Sequence, residues 1–180
     1  MVGKEQNKIM SESLENFTNI VKEDIKEAKT LFFSEAFKEE YLKDRREEKE
    51  LYHQLLLGRN RNQILEEFLL SSGQKKPVLL SAAKTIYQAT IMNLDEPLEI
   101  KVKREGWGYL VGRIKSDGTF LSLHKNTFQA EDFEDGTLTI YADMKTIPKD
   151  GDIDHLIIQT VYQTLQIEVV YASSCTATYV

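Results

Sequence analysis

The sequence predicts an α+β protein in which an N-terminal bundle of about three or four helices is followed by an all-β sandwich of about seven strands. Three observations predict it. Residues 1–76 hold no proline, and their apolar residues fall at helical spacing. From Pro77 onward the apolar period becomes two. Turn signals then recur at intervals of roughly 8–12 residues, as an all-β unit requires. Helices followed by a run of strands predict two segregated units: a helical unit over residues 1–76, a sandwich over 77–172 and a tail over 173–180.

In the first unit, Leu14, Phe17, Ile20, Val21, Ile25, Ala28, Leu31 and Phe32 recur at intervals of three and four, forming one stripe on one helix face. Ser34 can cap a new turn leading to Phe37 and Tyr41. Leu51, Tyr52, Leu55 and Leu56 make a third stripe, and Gly58 reads as a helix C-terminus. Asn60 and Gln63 give an N-cap pattern for a last helix carrying Ile64, Leu65, Phe68 and Leu69. Ser71-Ser72-Gly73 stops it. Phe32, Phe33, Phe37 and Tyr41 are read as helical core, with packing of the helices on the sandwich or docking of a neighbouring domain as the alternatives. The run Lys43-Asp-Arg-Arg-Glu-Glu-Lys-Glu50 mixes signs and reads as a solvated helix face with i,i+4 pairs such as Arg46–Glu50.

In the second unit, Leu98, Ile100 and Val102 alternate with polar residues, as do Leu138 and Ile140. Ile153, His155 and Ile157 share one strand face. Leu165, Ile167, Val169 and Tyr171 share another. The turns are marked by Asp95-Glu96-Pro97, Glu105-Gly106, Asp117-Gly118, Asp135-Gly136 and Lys149-Asp150-Gly151.

Bulk properties exclude several functions. The chain has 180 residues and a net charge of −6, which argues against reading nucleic acid through its phosphates. Residues 1–76 carry 14 basic and 15 acidic groups, and residues 77–180 carry 9 and 14, so the sandwich is the acidic half. No apolar run has the length of a membrane span. Cys175 is the only cysteine, which leaves no intrachain disulfide and no thiolate cluster and is compatible with the cytoplasm. The N-terminus lacks the apolar region of a signal peptide, which leaves open that the chain is a piece of a longer protein.

Catalytic motifs do not emerge. There is no Gly-x-Ser-x-Gly elbow, no Walker loop and no dinucleotide fingerprint. His53, His124 and His155 are scattered, and Cys175 lies in the tail. Asp150, Asp152 and Asp154 alternate like the start of a calcium loop, but His155 and Val161 stand where an EF-hand needs Gly and Glu. No metal, cofactor or catalytic residue is therefore assigned. An enzyme would hold two or more of Asp132, Asp135, Asp152 and Asp154 in a cleft between the two halves. Trp107 and Tyr109 are the candidate ligand or partner contacts. As an exposed pair they would stack on a sugar ring. Otherwise Gly106 shapes a turn, Trp107 folds onto one end of the sandwich core, and Tyr109 lies on the same strand face.

Two resemblances follow from these residues. Glu99-Ile-Lys-Val-Lys103, Trp107, Phe120-Leu-Ser-Leu123, Gly136-Thr-Leu-Thr-Ile140, Ile147-Pro-Lys-Asp-Gly151, Asp154-His-Leu-Ile-Ile158 and Gln166-Ile-Glu-Val-Val170 resemble the punctuation of bacterial immunoglobulin-like sandwiches. Leu14-Glu-Asn-Phe-Thr-Asn-Ile20, Glu27-Ala-Lys-Thr-Leu-Phe-Phe33, Glu66-Glu-Phe-Leu69 and Arg104-Glu-Gly-Trp-Gly-Tyr109 resemble a segment of large clostridial proteins of unknown function. Those proteins combine such sandwiches with helical segments. The resemblance implies a non-catalytic structural or protein–protein interaction module, with neighbouring domains or other chains as partners. A carbohydrate-binding sandwich using exposed aromatics is the alternative.

Overall fold

The computed structural model describes residues 2–173, with side chains from Ser13 onward. Residues 174–180 of the tail, Cys175 among them, lie outside the described residues. Five α-helices precede nine strands among the described residues. The chain divides into two compact units. One runs to Pro77 and includes Trp107–Tyr109. The other takes Val78–Gly106 and resumes at Leu110.

The helical unit contains α1 (Val2–Glu23), α2 (Ile25–Phe32), α3 (Glu35–Tyr41), α4 (Arg46–Leu55) and α5 (Arg61–Ser71). The stripe from Leu14 to Phe32 is therefore two helices, where its spacing predicts one. Asp24 causes the break. Its backbone is extended, and its carboxylate accepts hydrogen bonds from Lys26 N and Glu27 N at 3.0 and 3.1 Å, starting α2 afresh. Ser34 occupies the N-cap position of α3, but its hydroxyl donates back to Leu31 O and caps no amide. Asn60 does cap α5, accepting from Gln63 N at 3.1 Å. The same helix ends in a Schellman motif. Gly73 has φ of 75°, Gln74 N donates to Leu69 O, and Gly73 N donates to Leu70 O.

Aromatic residues fill the core of this unit. Phe17, Phe32, Phe37, Tyr52 and Phe68 are almost fully buried, and their touching rings have centroids 4.8–6.2 Å apart. The buried Tyr52 hydroxyl donates to Phe32 O at 2.6 Å, so the core carries no orphan phenol. Phe33 and Tyr41 pack at its margin. The Arg46–Glu50 pair forms at 3.2 Å on the solvated face of α4.

The second unit has two sheets. β1 (Leu79–Ala82), β3 (Leu98–Glu105), β7 (Thr137–Met144) and β5 (Leu121–Leu123) form one, in the order β1-β3-β7-β5. β2 (Ile86–Ala89), β9 (Thr164–Tyr171), β8 (Ile153–Thr160), β4 (Val111–Ser116) and β6 (Thr127–Gln129) form the other, in the order β2-β9-β8-β4-β6. All pairings are antiparallel except β2 with β9. The strand count exceeds expectation because two lengths of chain change sheets part-way. β1 gives way to β2 after Ala82, and β5 gives way to β6 after Leu123. Bends at Ala83 and Thr85 separate the first two strands, and bends at His124 and Asn126 the second two.

The core lies between the inner faces, with Ile100 and Val102 from β3, Leu138 and Ile140 from β7, Leu156 and Ile158 from β8, and Ile167 and Val169 from β9. Ile153, His155 and Ile157 do share a face of β8, and it is the outer one. The inner face carries Asp154, Leu156, Ile158 and Thr160. Asp154 is fully buried. Its Oδ2 accepts from Phe120 N and Leu121 N at 3.1 and 3.0 Å, tying the start of β5 to β8.

Candidate functional site

The segment Gly106-Trp107-Gly108-Tyr109 is not a strand. β3 ends at Glu105 and β4 begins at Val111, and Gly106 and Gly108 have φ of 104° and 101°. Two left-handed residues two apart destroy the pleat, so Trp107 and Tyr109 do not alternate on one strand face. This corrects the strand-face expectation. Trp107 also leaves the sandwich core to other residues: it packs, half-buried, against the aromatic core of the helical unit.

What holds it there is polar. Lys75 Nζ donates to Trp107 O at 2.5 Å, and the same ammonium lies 4.4 Å from the indole centroid. Lys22 Nζ lies 5.0 Å from that ring. Lys75 also pairs with Glu66 Oε1, with only 1% and 4% of the two side chains exposed. The Glu66 carboxylate accepts a further hydrogen bond from the Tyr109 backbone N–H. Desolvation pushes the Glu66 carboxyl above the ordinary range, and the Lys75 hydrogen bond and charge partly oppose that rise. Tyr109 accepts from Asn60 Nδ2 at 3.2 Å through its hydroxyl.

Gly108 is required here on two counts. Its φ is positive, and a Cβ at this position would stand 2.5 Å from Lys75 Nζ and 3.2 Å from Glu66 Oε2. Sequence reasoning selected Trp107 and Tyr109 but missed Glu66, Lys75, Lys22 and Asn60. No local spacing signals them, since Lys75 lies 32 residues before Trp107.

The remaining titratable candidates are engaged locally. Asp132 accepts from Gln129 N and faces Lys125, which together hold its carboxyl below the usual range, the Gln129 hydrogen bond being the larger cause. Asp152 accepts from Lys149 N, and Asp154 serves β5. Asp132 and Asp135 line one surface groove together with Lys101, Lys103 and Phe128; Asp152 and Asp154 do not reach it. His155 lies between Asp117 and Glu168, at 2.6 and 3.7 Å, and His124 pairs with Asp143 at 2.8 Å. Among the described residues no group of three or more such side chains is placed to hold a metal ion. Nor is any helix among them long and apolar enough to cross a membrane.

Large exposed apolar side chains are spread over the surface, Leu57, Ile147 and Val161 among them, and four lie close together in sequence. Ile86, Ile91, Met92 and Leu94 are 60%, 45%, 59% and 40% exposed. They lie on the edge strand β2 and on the single 3-10 turn Ile91–Leu94 that follows it.

The sequence as a whole matches the N-terminal model of a family of unknown function, DUF5717, over residues 2–178. The chain belongs to the DUF5717 family. Among curated proteins none matches it. Solved structures similar to this DUF5717 chain are immunoglobulin-like and other β-sandwich proteins. The E. coli chaperone DraB is 6% identical with a TM-score of 0.41, the match covering 53% of this chain and 55% of DraB. The chaperone YadV is 12% identical with a TM-score of 0.39, covering 55% of this chain and 53% of YadV. The match thus spans about half the length of each chaperone. The apo CBD1 domain of Calx is 11% identical with a TM-score of 0.37, covering 54% of this chain and 100% of that domain. Likenesses this distant carry no argument about what a DUF5717 chain binds.

Proposed function

We propose that this chain is a non-catalytic structural or protein–protein interaction module of a larger bacterial protein. That protein is of the clostridial kind in which immunoglobulin-like sandwiches are combined with helical segments. The observation that carries the reading is the exposure of Ile86 on the edge strand β2 and of Ile91, Met92 and Leu94 on the turn that follows it. Large apolar side chains grouped on a surface mark contact with another protein. The indole of Trp107 supports the packing role over a sugar platform, because Lys75 and Lys22 already lie over it.

Calorimetric titration of the chain with the adjoining segments of its longer protein tests this. Binding that weakens tenfold or more in Met92→Lys supports the module reading. Binding unchanged by the substitution, or no binding to any segment, refutes it.

A further inference from the structure

The turns of the sandwich hold three Asp-Gly dipeptides, Asp117-Gly118, Asp135-Gly136 and Asp150-Gly151. Such a dipeptide carries its own chemistry. The backbone nitrogen that follows an aspartate can attack the aspartate's carboxyl carbon, and a glycine there has no Cβ to hinder the approach. Both groups belong to one chain, so no reactant has to be brought in. The dipeptide is the same at all three places. The fold sets them apart through the hydrogen bonds that each nitrogen and each carboxylate has already made.

Two of the three are engaged at both groups. Gly118 N donates to Ser116 Oγ at 2.9 Å, and Asp117 Oδ2 pairs with His155 Nδ1 at 2.6 Å. Gly151 N donates to Tyr171 O at 2.9 Å, and Asp150 Oδ1 accepts from Ser173 N at 2.8 Å. Each group must leave its partner before it reacts.

Asp135-Gly136 is engaged at neither. It is the two-residue loop between Glu134 and Thr137, which donate to each other's carbonyls at 2.9 Å. Asp135 and Gly136 have φ of 49° and 76°, the left-handed pair that such a loop requires. The loop closes through the residues on either side, which leaves the Gly136 N–H out of the pairing. Gly136 uses only its carbonyl, which accepts from Arg104 N at 2.9 Å. Among the described residues the Gly136 N–H has no acceptor, and the exposed Asp135 carboxylate accepts no hydrogen bond and joins no ion pair. Nothing lies within 4 Å of where a Cβ of Gly136 would stand, so a ring has room to form.

We infer that Asp135 is a site of spontaneous isomerisation through a succinimide closed by Gly136 N, and that Asp117 and Asp150 are protected from it. Gly136 N forms a bond to Asp135 Cγ. One carboxylate oxygen leaves as water, taking the proton of that nitrogen and one proton from solvent. Solvent water then opens the ring. Attack at Cγ breaks the new bond and restores aspartate. Attack at the Asp135 main-chain carbonyl carbon breaks its bond to Gly136 N, and the chain then runs through Cγ as isoaspartate. The main chain gains a methylene carbon in a loop whose length sets the register of Glu134 with Thr137. The free carboxylate moves to the α position, beside the groove lined by Lys101, Lys103 and Asp132. The product is a modified residue of the kind recognised by enzymes that methylate β-linked aspartate. The site is independent of the module reading.

Prolonged ageing of the whole chain in heavy-oxygen water at neutral pH, then digestion in ordinary water and peptide mass analysis, tests the inference. Each opening of the ring leaves one heavy oxygen in the peptide, whichever carbonyl is attacked. In the folded chain, heavy oxygen and isoaspartate are expected at Asp135 at least about tenfold faster than at Asp117 or Asp150, because those sites must first give up a hydrogen bond. In urea the fold no longer holds the groups, and the three rates converge. An Asp135 that stays unlabelled in the folded chain, or that labels no faster than Asp117 and Asp150, overturns the inference. So does a lead of Asp135 that persists unchanged in urea, since neighbouring sequence and not the fold then sets it.

Discussion

Replacing Lys75 with methionine tests the account of the Trp107 segment most directly. The substitution keeps the aliphatic stem and removes the ammonium. Glu66, with 4% of its side chain exposed, then loses its countercharge, and Trp107 O loses its donor. Removing one partner of a buried ion pair costs about 3–5 kcal/mol. The lost contact with the indole adds about 0.5–2 kcal/mol. Urea unfolding followed by Trp107 fluorescence reads this in the helical unit, because the chain has no other tryptophan. The double variant Lys75→Met with Glu66→Leu removes the buried charge altogether and is expected to recover most of the loss.

The pH dependence has a definite sign. Burial already raises the Glu66 carboxyl above its ordinary value. Loss of Lys75 raises it further, so the Lys75→Met penalty is larger at higher pH and shrinks as pH falls through the folded-state value and Glu66 takes up a proton. A Lys75→Met protein within about 1 kcal/mol of wild type at pH 7, or a penalty that does not shrink on acidification, refutes the reasoning.

Three further outcomes are expected. Gly108→Ala, which meets Lys75 and Glu66 as well as a positive φ, destabilises by about 2–4 kcal/mol in thermal or urea unfolding, whereas Gly118→Ala, with φ of 73° and nothing within 4 Å of the new Cβ, costs about 1–2 kcal/mol. Asp154→Ala orphans the buried amides of Phe120 and Leu121 and costs about 2–4 kcal/mol, with selectively faster hydrogen exchange at both amides. Asp132, whose carboxyl is held low by Gln129 N and Lys125, contributes stability that is present above its unfolded value and lost as pH falls through its folded one, and Asp132→Asn removes that acid-side slope from the stability–pH curve.

Much of the architecture was legible because it follows from local periodicity. A 3.6-residue apolar period in the first half and a two-residue period in the second dictate which faces can be buried, and that fixes helices then strands. Caps were legible where one side chain meets a nearby amide, as at Asn60. Ser34 has the right residue type, but its hydroxyl found a carbonyl instead. The break at Asp24 was hidden because the apolar stripe runs through it. The changes of sheet after β1 and β5 were hidden because residues 83–85 and 124–126, which link the strands, hold no glycine or proline to mark a turn.

By itself the sequence determined that there are two units of different grammar, that the second is a sandwich, and which aromatic segment between strands is exceptional. Only the tertiary structure decided where that segment goes. Its anchors, Glu66, Lys75, Lys22 and Asn60, are all on the helical unit and distant in sequence, and a buried ion pair leaves no periodic trace. The same holds for the edge of β2. Whether an exposed backbone amide is paired depends on which strand lies beside it, and strand order is set by long-range packing that a two-residue period does not encode.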